Sequence, residues 1–555
     1  NSNGTARHNH YHGTMKKMTL TLCLLVLLAP LAAADETQDS LLEARLEAHI
    51  TFLADDMLRG RQPGTEGYAI AANYVVSQFR QMGLEPAGED GGYLQKVPLL
   101  SARLEEGSAT LSIERAGKIS ELRFSEDFYT GPSRAHENSS VEAEMVFAGY
   151  GIHAPVLNYS DYEGLDVEGK IVVVMSGMPA DFPSEEGAHF SNRREIARNA
   201  VERGAVGMIS IYTPRTEQRF AWGKLQTMIG MPSMGWIDGE GKVFAGFEEL
   251  RGGALVHYNA GGVLFEGTEY DLPTLIEKDA QGEPLPRFEL TGTVSLSQAS
   301  DREYISSANV AAYLPGSDPL LSGEFVVYTA HLDHIGELHG DGHEDAINNG
   351  ALDNASGISV MLETARLLST HERPRRSVLF LAVTAEEKGL VGSEYFAMNP
   401  TLPVERMVGL VNLDMPLLLY DFGDVIAFGA EHSTLKDAVE NAAGEYGVSL
   451  TPDPFPEQNI FVRSDHYRFV QQGVPSVFLV TGTKSMDGET DTMGIFQQFL
   501  KDHYHTPSDD LNLPINYGAA ARFTRINTRI GEIVANQAEK PQWHEGDFFG
   551  ETFGR

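Results

Sequence analysis

Apolar residues follow two different patterns along this chain, and each pattern predicts one type of secondary structure. Between residues 71 and 82 they recur at helical spacing, and Gly83 follows as a stop signal. Later they form near-continuous runs at 325–330, 378–383 and 407–413, which is typical of strands buried on both faces by helices. The apolar positions of the early helix are Ala71, Tyr74, Val75, Phe79 and Met82.

A strand–loop–helix pattern repeats from about residue 305 onwards. A segment with apolar residues at helical spacing, from Ile358 to Leu368, separates the first of these strands from the second. Strands that alternate with helices predict an α/β fold. We therefore expect a mixed, largely parallel sheet that is flanked by helices.

The middle of the chain predicts a second, smaller α/β unit. Residues 146–178 contain short apolar strands separated by Gly, Asn and Asp turns, and a helix at 194–203 and a strand at 206–212 follow. We expect an inserted domain at residues 136–284. The larger domain is then discontinuous and consists of residues 35–135 and 285–540, with residues 541–555 as a C-terminal tail.

The N-terminal region resembles a secretory signal peptide. Lys16 and Lys17 precede an apolar run from Leu20 to Leu31, and three alanines end at Ala34. A basic start, a short apolar segment and small residues are the three parts of such a signal. The run is too short for a stable membrane anchor. We expect cleavage after Ala34 and export to the periplasm or the medium, and we interpret residues 1–14 as a tag or upstream translation.

Composition and charge exclude several classes of function. The 555 residues are 42% hydrophobic and 22% charged, as in ordinary globular proteins, and the formal net charge is −36. So negative a chain is not expected to bind nucleic acid or anionic membranes. Cleavage of the signal would also remove Cys23, the one cysteine, which leaves neither a disulfide nor a thiol nucleophile.

Each apolar run leads directly into side chains that can bind a metal ion. Ligands of open α/β sheets bind outside the carboxyl ends of the strands, so these groups should converge. Imidazoles and carboxylates crowded into one cleft favour bound cations, and zinc accepts both kinds of ligand. Two metal ions that share a carboxylate form the clamp found in aminopeptidases. The candidates after the strands are His331, Asp333, Glu386, Glu387 and Asp414, and the candidates in loops are Asp353 and His505.

Taken singly, each of these signals is weak. A His-x-Asp pair is commonly a surface ion pair, two adjacent glutamates are commonly solvated, and an Asp in a Gly/Asn-rich turn commonly caps that turn. Their strength lies in their order, their spacing and their position at strand ends. The histidines outside this set are interpreted as structural or loop residues, namely His334, His343, His466 and His503.

Seven motifs in order resemble the di-zinc aminopeptidase family, metallopeptidase clan MH, family 28. The opening segment FLADDMLRGRQPGTEG is also similar to that family, whereas VFAGYGIHAP and YEGLDVEGKIVVV resemble a protease-associated (PA) domain. The resemblance covers nearly all of the chain after the signal. The seven motifs are HLDH, NNGALDNASG, TAEEKGLVGS, VNLD, SDHYRF, QQGVPSVF and HYHTPSDD.

The resemblance implies two zinc ions and a role for each candidate residue. It places His331 and Asp414 on one zinc, Glu387 and His505 on the other, and Asp353 between them. Glu386 is then the general base, and Asp333 accepts a hydrogen bond from His331 and fixes its tautomer. Tyr504 is expected to assist the oxyanion of the substrate, and the Asp353–Asn354 peptide bond is expected to be cis.

Several other functions remain open from the sequence. A carboxypeptidase, a dipeptidase or a glutaminyl-cyclase-like enzyme uses the same kind of site, although a cyclase is expected to lack the PA insert and to bind one zinc. A non-catalytic binding protein is expected to have lost ligands, whereas this chain keeps all five and the base. The most favoured function is an exported aminopeptidase that acts on peptides. Nothing in the sequence indicates its preferred residue or its oligomeric state.

Overall fold

The computed structural model describes residues 38–338 and 345–555. The predicted signal peptide and His343 lie outside these residues. Among the described helices, none combines the length and the apolar character that crossing a bilayer requires. The α-helices are α1 (38–53), α2 (Glu66–Gln81), α3 (Ser184–Phe190), α4 (Arg193–Val201), α5 (Pro214–Arg219), α6 (Trp222–Thr227), α7 (Leu272–Ala280), α8 (Gly357–Thr370), α9 (Val391–Met398), α10 (Leu435–Glu445), α11 (His466–Val470), α12 (Thr492–Asp502), α13 (Tyr517–Asn536) and α14 (Phe548–Phe553).

The strands within the described residues form two sheets and two short hairpin-like pairs. They are β1 (Glu85–Pro86), β2 (Leu94–Leu104), β3 (Thr110–Arg115), β4 (Lys118–Leu122), β5 (Phe128–Tyr129), β6 (Asn138–Ala148), β7 (His153–Ala154), β8 (Tyr159–Ser160), β9 (Ile171–Met175), β10 (Gly207–Tyr212), β11 (Ser233–Trp236), β12 (Gly253–His257), β13 (Arg287–Leu314), β14 (Phe325–His331), β15 (Gly336–Glu337), β16 (Ile347–Asn348), β17 (Ser377–Val383), β18 (Met407–Asn412), β19 (Asp424–Phe428), β20 (Ser449–Thr451) and β21 (Ser476–Thr481).

The first sheet is mixed, and its centre is parallel. Strand β14 pairs in parallel with β17 on one side and with β18 on the other, and β18 pairs in parallel with β21. Antiparallel strands extend the sheet, with β13 beside β17 and β19 beside β21. The predicted α/β fold is confirmed, and the three central strands differ from the apolar runs by a single residue at one end.

Both faces of the central strands are covered, which explains their continuous apolar runs. Val326 and Tyr328 of β14 belong to a core that includes residues of α1, α2, α8 and α13. Phe325 and Val327 point to the other face, where they pack with Phe396 of α9 and with other buried residues. Because successive residues of a strand point in opposite directions, a strand between two helical layers needs apolar residues throughout.

The second sheet belongs to the inserted region. Strands β6, β9, β10 and β12 are parallel neighbours in that order, and the first half of β13 lies antiparallel to β6. The predicted helix at 194–203 is α4, and the predicted strand at 206–212 is β10. Strands β3 to β5 also join this sheet, so it reaches beyond residues 136–284, whose exact limits stay a prediction.

A buried histidine joins the inserted region to the rest of the chain. His432 lies between the carboxylates of Glu185 on α3 and Asp547, which caps α14. The predicted C-terminal tail, residues 541–555, therefore contains a helix that is attached to the rest of the chain by this ion pair. Burial alone lowers the pKa of the imidazole, but the two carboxylates raise it to about 10. The protonated histidine therefore links three segments that are far apart in sequence.

The ion pairs of His432 are expected to make the stability of the folded protein depend on pH. Folding raises the pKa of His432, so its protonated form contributes to the free energy of unfolding. This contribution is complete below the unfolded pKa near 6.5 and is lost as the pH rises towards 10. The free energy of unfolding should fall by a few kcal/mol, on the order of 3, across that window. Urea unfolding at pH 6 and pH 9.5 measures the difference, and the variant His432→Asn should show much less of it. An equal decrease in both proteins contradicts the prediction.

Candidate metal centre

The carboxyl ends of β14, β17 and β18 meet at one edge of the sheet. His331 ends β14 and pairs with Val383 of β17, while Thr329 pairs with Asn412 of β18. The parallel register therefore places the residues that follow each strand side by side. Glu386 and Glu387 follow β17, and the Asp414 that follows β18 lies across from them. The predicted convergence at the strand ends is what the structure shows.

The first group of possible ligands consists of His331, Asp353 and Asp414. The Nε2 atom of His331 lies 3.1 Å from Oδ1 of Asp414 and 3.2 Å from Oδ1 of Asp353. One ligand atom from each residue lies within 4.8 Å of the others, a spacing that suits a single metal ion. His331 and Asp353 are almost fully buried, so these ligand atoms are held on a rigid part of the molecule.

The second group shares Asp353 with the first. Nε2 of His505 lies 3.2 Å from Oδ2 of Asp353 and 3.2 Å from Oε2 of Glu387. His334, which the sequence analysis interpreted as structural, also belongs here, because its Nδ1 lies 2.7 Å from Oε1 of Glu387. His334, Asp353 and Glu387 again present atoms within 4.8 Å of one another. The two oxygens of Asp353 therefore face two separate groups of donors.

The Asp353–Asn354 peptide bond is cis, as expected from the resemblance. It lies in a single turn of π-helix at Ala351–Ser356, directly before α8. Asn354 accepts hydrogen bonds from the backbone of Gly357 and Met415 and donates one to the carbonyl of Leu413. These contacts connect the turn that carries Asp353 to the strand end that carries Asp414.

Asp333 makes hydrogen bonds to three of the candidate site residues. The Nδ1 atom of His331 lies 3.1 Å from the backbone carbonyl of Asp333, so a proton there is donated to that oxygen. The Asp333 carboxylate accepts hydrogen bonds from the backbone N–H groups of Glu386 and Glu387 at 3.1 and 3.4 Å. Burial raises the pKa of this carboxyl to about 6. Asp333 thus fixes the orientation of the segment that carries both glutamates.

Glu386 differs from its neighbour in its surroundings. Its side chain is partly buried. Burial raises its pKa well above the ordinary value, and the nearby charges of Asp414 and Asp465 add to that increase. For Glu387, burial acts in the same direction, but His505 and His334 outweigh it and lower the pKa well below the ordinary value. The raised pKa makes Glu386 the more basic of the two carboxylates, whereas the two histidines stabilise the charged form of Glu387.

The imidazoles respond to the carboxylates that surround them. Burial alone lowers the pKa of His331 and His505, but the neighbouring carboxylates raise it, for His505 to about 10. The donors are imidazole nitrogens and carboxylate oxygens without a thiolate, and all of the residues that carry them are partly or fully buried. This set fits zinc in a catalytic site, where cations replace the protons that otherwise balance the charge.

Several residues of the site have left-handed backbone conformations. Ala385 before the two glutamates, Met415 after Asp414, and His505 itself have φ values of 55°, 44° and 58°. A residue other than glycine in this region costs about 1–3 kcal/mol and persists only where surrounding contacts enforce it. Such residues cluster at functional sites, which supports a function for this cleft.

Tyr504 lies at the edge of the site. Its ring stacks on the imidazole of His505, with centroids 3.8 Å apart and an angle of 24° between the planes. Burial raises the pKa of its hydroxyl well above the ordinary value, and the charges of Asp353 and Glu387 act in the same direction. The hydroxyl therefore stays protonated and can donate a hydrogen bond. A contact with a substrate stays a prediction.

Three supporting residues were not assigned a role by the sequence analysis. Ser464 donates a hydrogen bond of 2.6 Å to Oδ2 of Asp414 and accepts one from Asn412. Asp465 is fully buried beside it, and burial raises its pKa to about 7. With His334, these residues lie in the motifs SDHYRF and HLDH, so their place in ordered motifs was the available signal.

Comparison with known proteins agrees with this description. Residues 309–530 match peptidase family M28, and residues 141–241 match the PA domain. The chain is 24% identical to the probable lipoprotein aminopeptidase LpqL of Mycobacterium tuberculosis over 478 residues, which is 81% of this chain and 76% of that protein. It is 28% identical over 244 residues to probable leucine aminopeptidase 2 of Aspergillus fumigatus, covering 42% of this chain but less than half, 46%, of that relative.

A similar fold is found among solved structures. The aminopeptidase from Aneurinibacillus sp. strain AM-1 matches with a TM-score of 0.53 and 20% identity, and the match covers 90% of this chain and 95% of that one. At this level of identity the likeness supports the fold alone. The overall α/β fold is therefore shared with a known structure.

Proposed function

Because residues 309–530 match peptidase family M28 and residues 141–241 match the PA domain, we propose that this chain is a zinc exopeptidase. The most favoured activity is that of an aminopeptidase with two zinc ions. The observation that carries this proposal is the position of Asp353, whose two carboxylate oxygens lie 3.2 Å from His331 and from His505. A carboxylate shared in this way is what a pair of metal ions requires.

The proposed ligands fall into two sets around Asp353. His331 and Asp414 would hold one zinc ion, and Glu387 and His505 would hold the other. His334 contacts Oε1 of Glu387 and so leaves Oε2, which faces His505, for the ion. Ser464 does the same for Asp414, because it binds Oδ2 and leaves Oδ1, which faces His331. Each ligand carboxylate is thereby oriented by a hydrogen bond to its other oxygen.

Zinc held by these residues would supply Lewis-acid chemistry, which polarises a scissile carbonyl and lowers the pKa of water. Glu386 takes the proton from the attacking water and later delivers it to the leaving amine. Asp333 keeps Glu386 in place through the backbone N–H group of Glu386. The carboxylates of the cleft also attract the free α-ammonium group of a peptide, which favours cleavage at the N-terminus.

A cluster of arginines favours a second candidate, an exopeptidase that recognises a free C-terminal carboxylate. Arg194 at the start of α4 forms an ion pair with Glu394 of α9. Arg134 lies near Arg194 and Arg193, and burial together with these two positive charges lowers the pKa of Arg134 to about 10. The side chain of Arg193 makes no hydrogen bond or ion pair among the residues that the structure describes, although burial lowers the pKa of its guanidinium. An unpaired guanidinium here can bind a carboxylate.

A panel of blocked peptides separates the two candidates. The purified protein is incubated with zinc and with one short peptide in four forms: free, N-acetylated, C-amidated, and blocked at both ends. An aminopeptidase cleaves the free and the C-amidated forms alone. A carboxypeptidase or dipeptidase loses activity on C-amidation, and a glutaminyl-cyclase-like enzyme releases no amino acid but closes an N-terminal glutamine. No turnover of any form, with zinc bound, contradicts the proposed enzyme and favours a binding protein.

We also propose that the chain is exported, which rests on the basic, apolar and small-residue segments at 15–34. Cleavage after Ala34 is expected to give a protein that begins at Asp35. Mass spectrometry of the periplasmic or secreted fraction measures this terminus. An N-terminus at Met15 in that fraction contradicts the proposal.

A further inference from the structure

A fully buried arginine lies beneath the candidate metal centre. Arg61 is 1% exposed, and its guanidinium makes hydrogen bonds to backbone carbonyls alone. Nε donates to Leu332 at 2.9 Å, Nη1 donates to Asn349 at 2.6 Å and to Leu53, and Nη2 donates to Gly350 at 3.1 Å. A buried charge needs compensation, and here four carbonyl dipoles supply it.

These carbonyls belong to the segments that carry the proposed ligands. Leu332 follows His331 directly, and Asn349 and Gly350 lead into the turn that contains Asp353. The carbonyl of Arg61 also accepts a hydrogen bond from the backbone N–H group of His334. One guanidinium therefore connects the end of β14 with the turn before α8, although the two are separate parts of the chain.

Asp509 holds the same turn from the other side. Its carboxylate accepts the backbone N–H groups of Leu352 and Asp353 at 2.9 and 3.0 Å, and its carbonyl accepts that of Ala351 at 3.0 Å. Asp509 is fully buried and follows His505 by four residues. The positive group thus binds the carbonyls of the turn, whereas the negative group binds its amides.

The start of the turn is closely packed at Gly350. Gly350 has a φ of +61°, and a Cβ atom placed there lies 2.1 Å from the carbonyl oxygen of Asp353 and 2.7 Å from the ring of His334. Only glycine fits such a close approach. The backbone on both sides of Asp353 is therefore held by hydrogen bonds and by packing.

We propose that Arg61 and Asp509 are positioning residues that hold the Asp353 turn so that its carboxylate faces His331 and His505 together. The inference rests on the proposed zinc site. A small displacement of Asp353 changes the geometry at both ions at once, because both groups share this carboxylate. Neither residue touches the ions or the substrate, so their effect is expected on zinc affinity rather than on the chemical step.

The experiment compares four variants with the parent protein. Arg61→Met removes all the hydrogen bonds of the guanidinium, Arg61→Lys keeps the charge with fewer donors, and Asp509→Asn keeps the shape but replaces one acceptor by a donor. The control is Arg376→Met, since Arg376 is equally buried and also donates to backbone carbonyls, at Val534 and Gln537. It precedes the start of β17, whereas the site follows the end of that strand.

Zinc affinity is measured by competition with a chromogenic chelator, alongside thermal unfolding of the zinc-free proteins. Arg61→Met and Asp509→Asn should bind zinc about ten- to a hundredfold more weakly, and Arg61→Lys should recover part of the loss. Arg376→Met should lower the unfolding temperature but leave zinc affinity within about twofold of the parent's. Should Arg61→Met fail to fold, Asp509→Asn decides alone. A zinc affinity within about twofold of the parent's in the folded variants overturns the proposal.

Hydrogen exchange of the zinc-free protein tests the clamp without relying on the proposed function. The amides of residues 351–353 should exchange at least about tenfold faster in Asp509→Asn than in the parent or in Arg376→Met. Unchanged exchange there overturns the clamp even when the parent binds zinc and cleaves peptides. A parent that binds no zinc overturns the proposed function, whereas faster exchange at these amides still supports the clamp.

Discussion

Replacement of Glu386 by glutamine is expected to lower kcat by about 10²–10⁴ while two zinc ions stay bound, because a general base contributes a factor of that size. The amide keeps the shape of the side chain and removes the basic oxygen. The fold should not change, since the side chain is partly exposed and the contact with Asp333 uses the backbone N–H group. Metal content by atomic emission and kcat on an aminoacyl substrate are the two measurements.

Glu387→Gln is the matched control, because it makes the same chemical change one position away. Glu387 contacts His334 at 2.7 Å and His505 at 3.2 Å, so its replacement should weaken one zinc site. Excess zinc is then expected to restore part of the activity. If Glu386→Gln loses a zinc ion while Glu387→Gln keeps two and is merely slow, the two roles are reversed.

Replacement of Asp353 by alanine should have the largest effect on the metal centre. Its two oxygens contact His331 and His505, so the variant loses a ligand from both proposed ions. Metal assistance is worth several kcal/mol in the transition state, and its loss corresponds to at least about a thousandfold in kcat/KM. Removal of zinc from the parent by a chelator should lower activity to a similar extent, and added zinc should restore it in the parent alone.

Asp279→Ala serves as the control for this variant. Asp279 is also a buried aspartate, but it lies in the inserted region, where it pairs with Arg215 and accepts a hydrogen bond from Tyr150. Its replacement should reduce stability without a change in zinc content. Retention of two zinc ions by Asp353→Ala shows that Asp353 does not bridge them, whatever the effect on activity.

The sequence was most informative where local pattern and sheet geometry agree. The runs at 325–330, 378–383 and 407–413 are apolar throughout because both faces of those strands are covered, and β14, β17 and β18 follow them closely. Parallel strands end at the same edge, so the polar residues after them meet irrespective of the details of packing. The convergence of His331, Glu387 and Asp414 could therefore be predicted.

Contacts between segments that are distant in sequence were decided by the tertiary structure alone. His334 was interpreted from the sequence as a structural histidine, and its contact with Glu387 depends on the spacing of two strand ends. Arg61 and Asn349 are 288 residues apart in sequence, yet a buried hydrogen bond joins the guanidinium of Arg61 to the carbonyl of Asn349. No periodic pattern in the sequence indicates such a pair, because the guanidinium and the carbonyls that accept its hydrogen bonds belong to separate elements.

The sequence by itself therefore determined the α/β class, the order in which polar residues follow the central strands, and the types of metal-binding side chain at those strand ends. The tertiary structure decided which oxygen of each carboxylate faces which histidine, and which residues hold those carboxylates in place. Periodicity and turn chemistry act over a few residues and can be read along the chain. The distance of 3.2 Å between Asp353 and His505 results from the packing of separate elements, which no short stretch of sequence specifies.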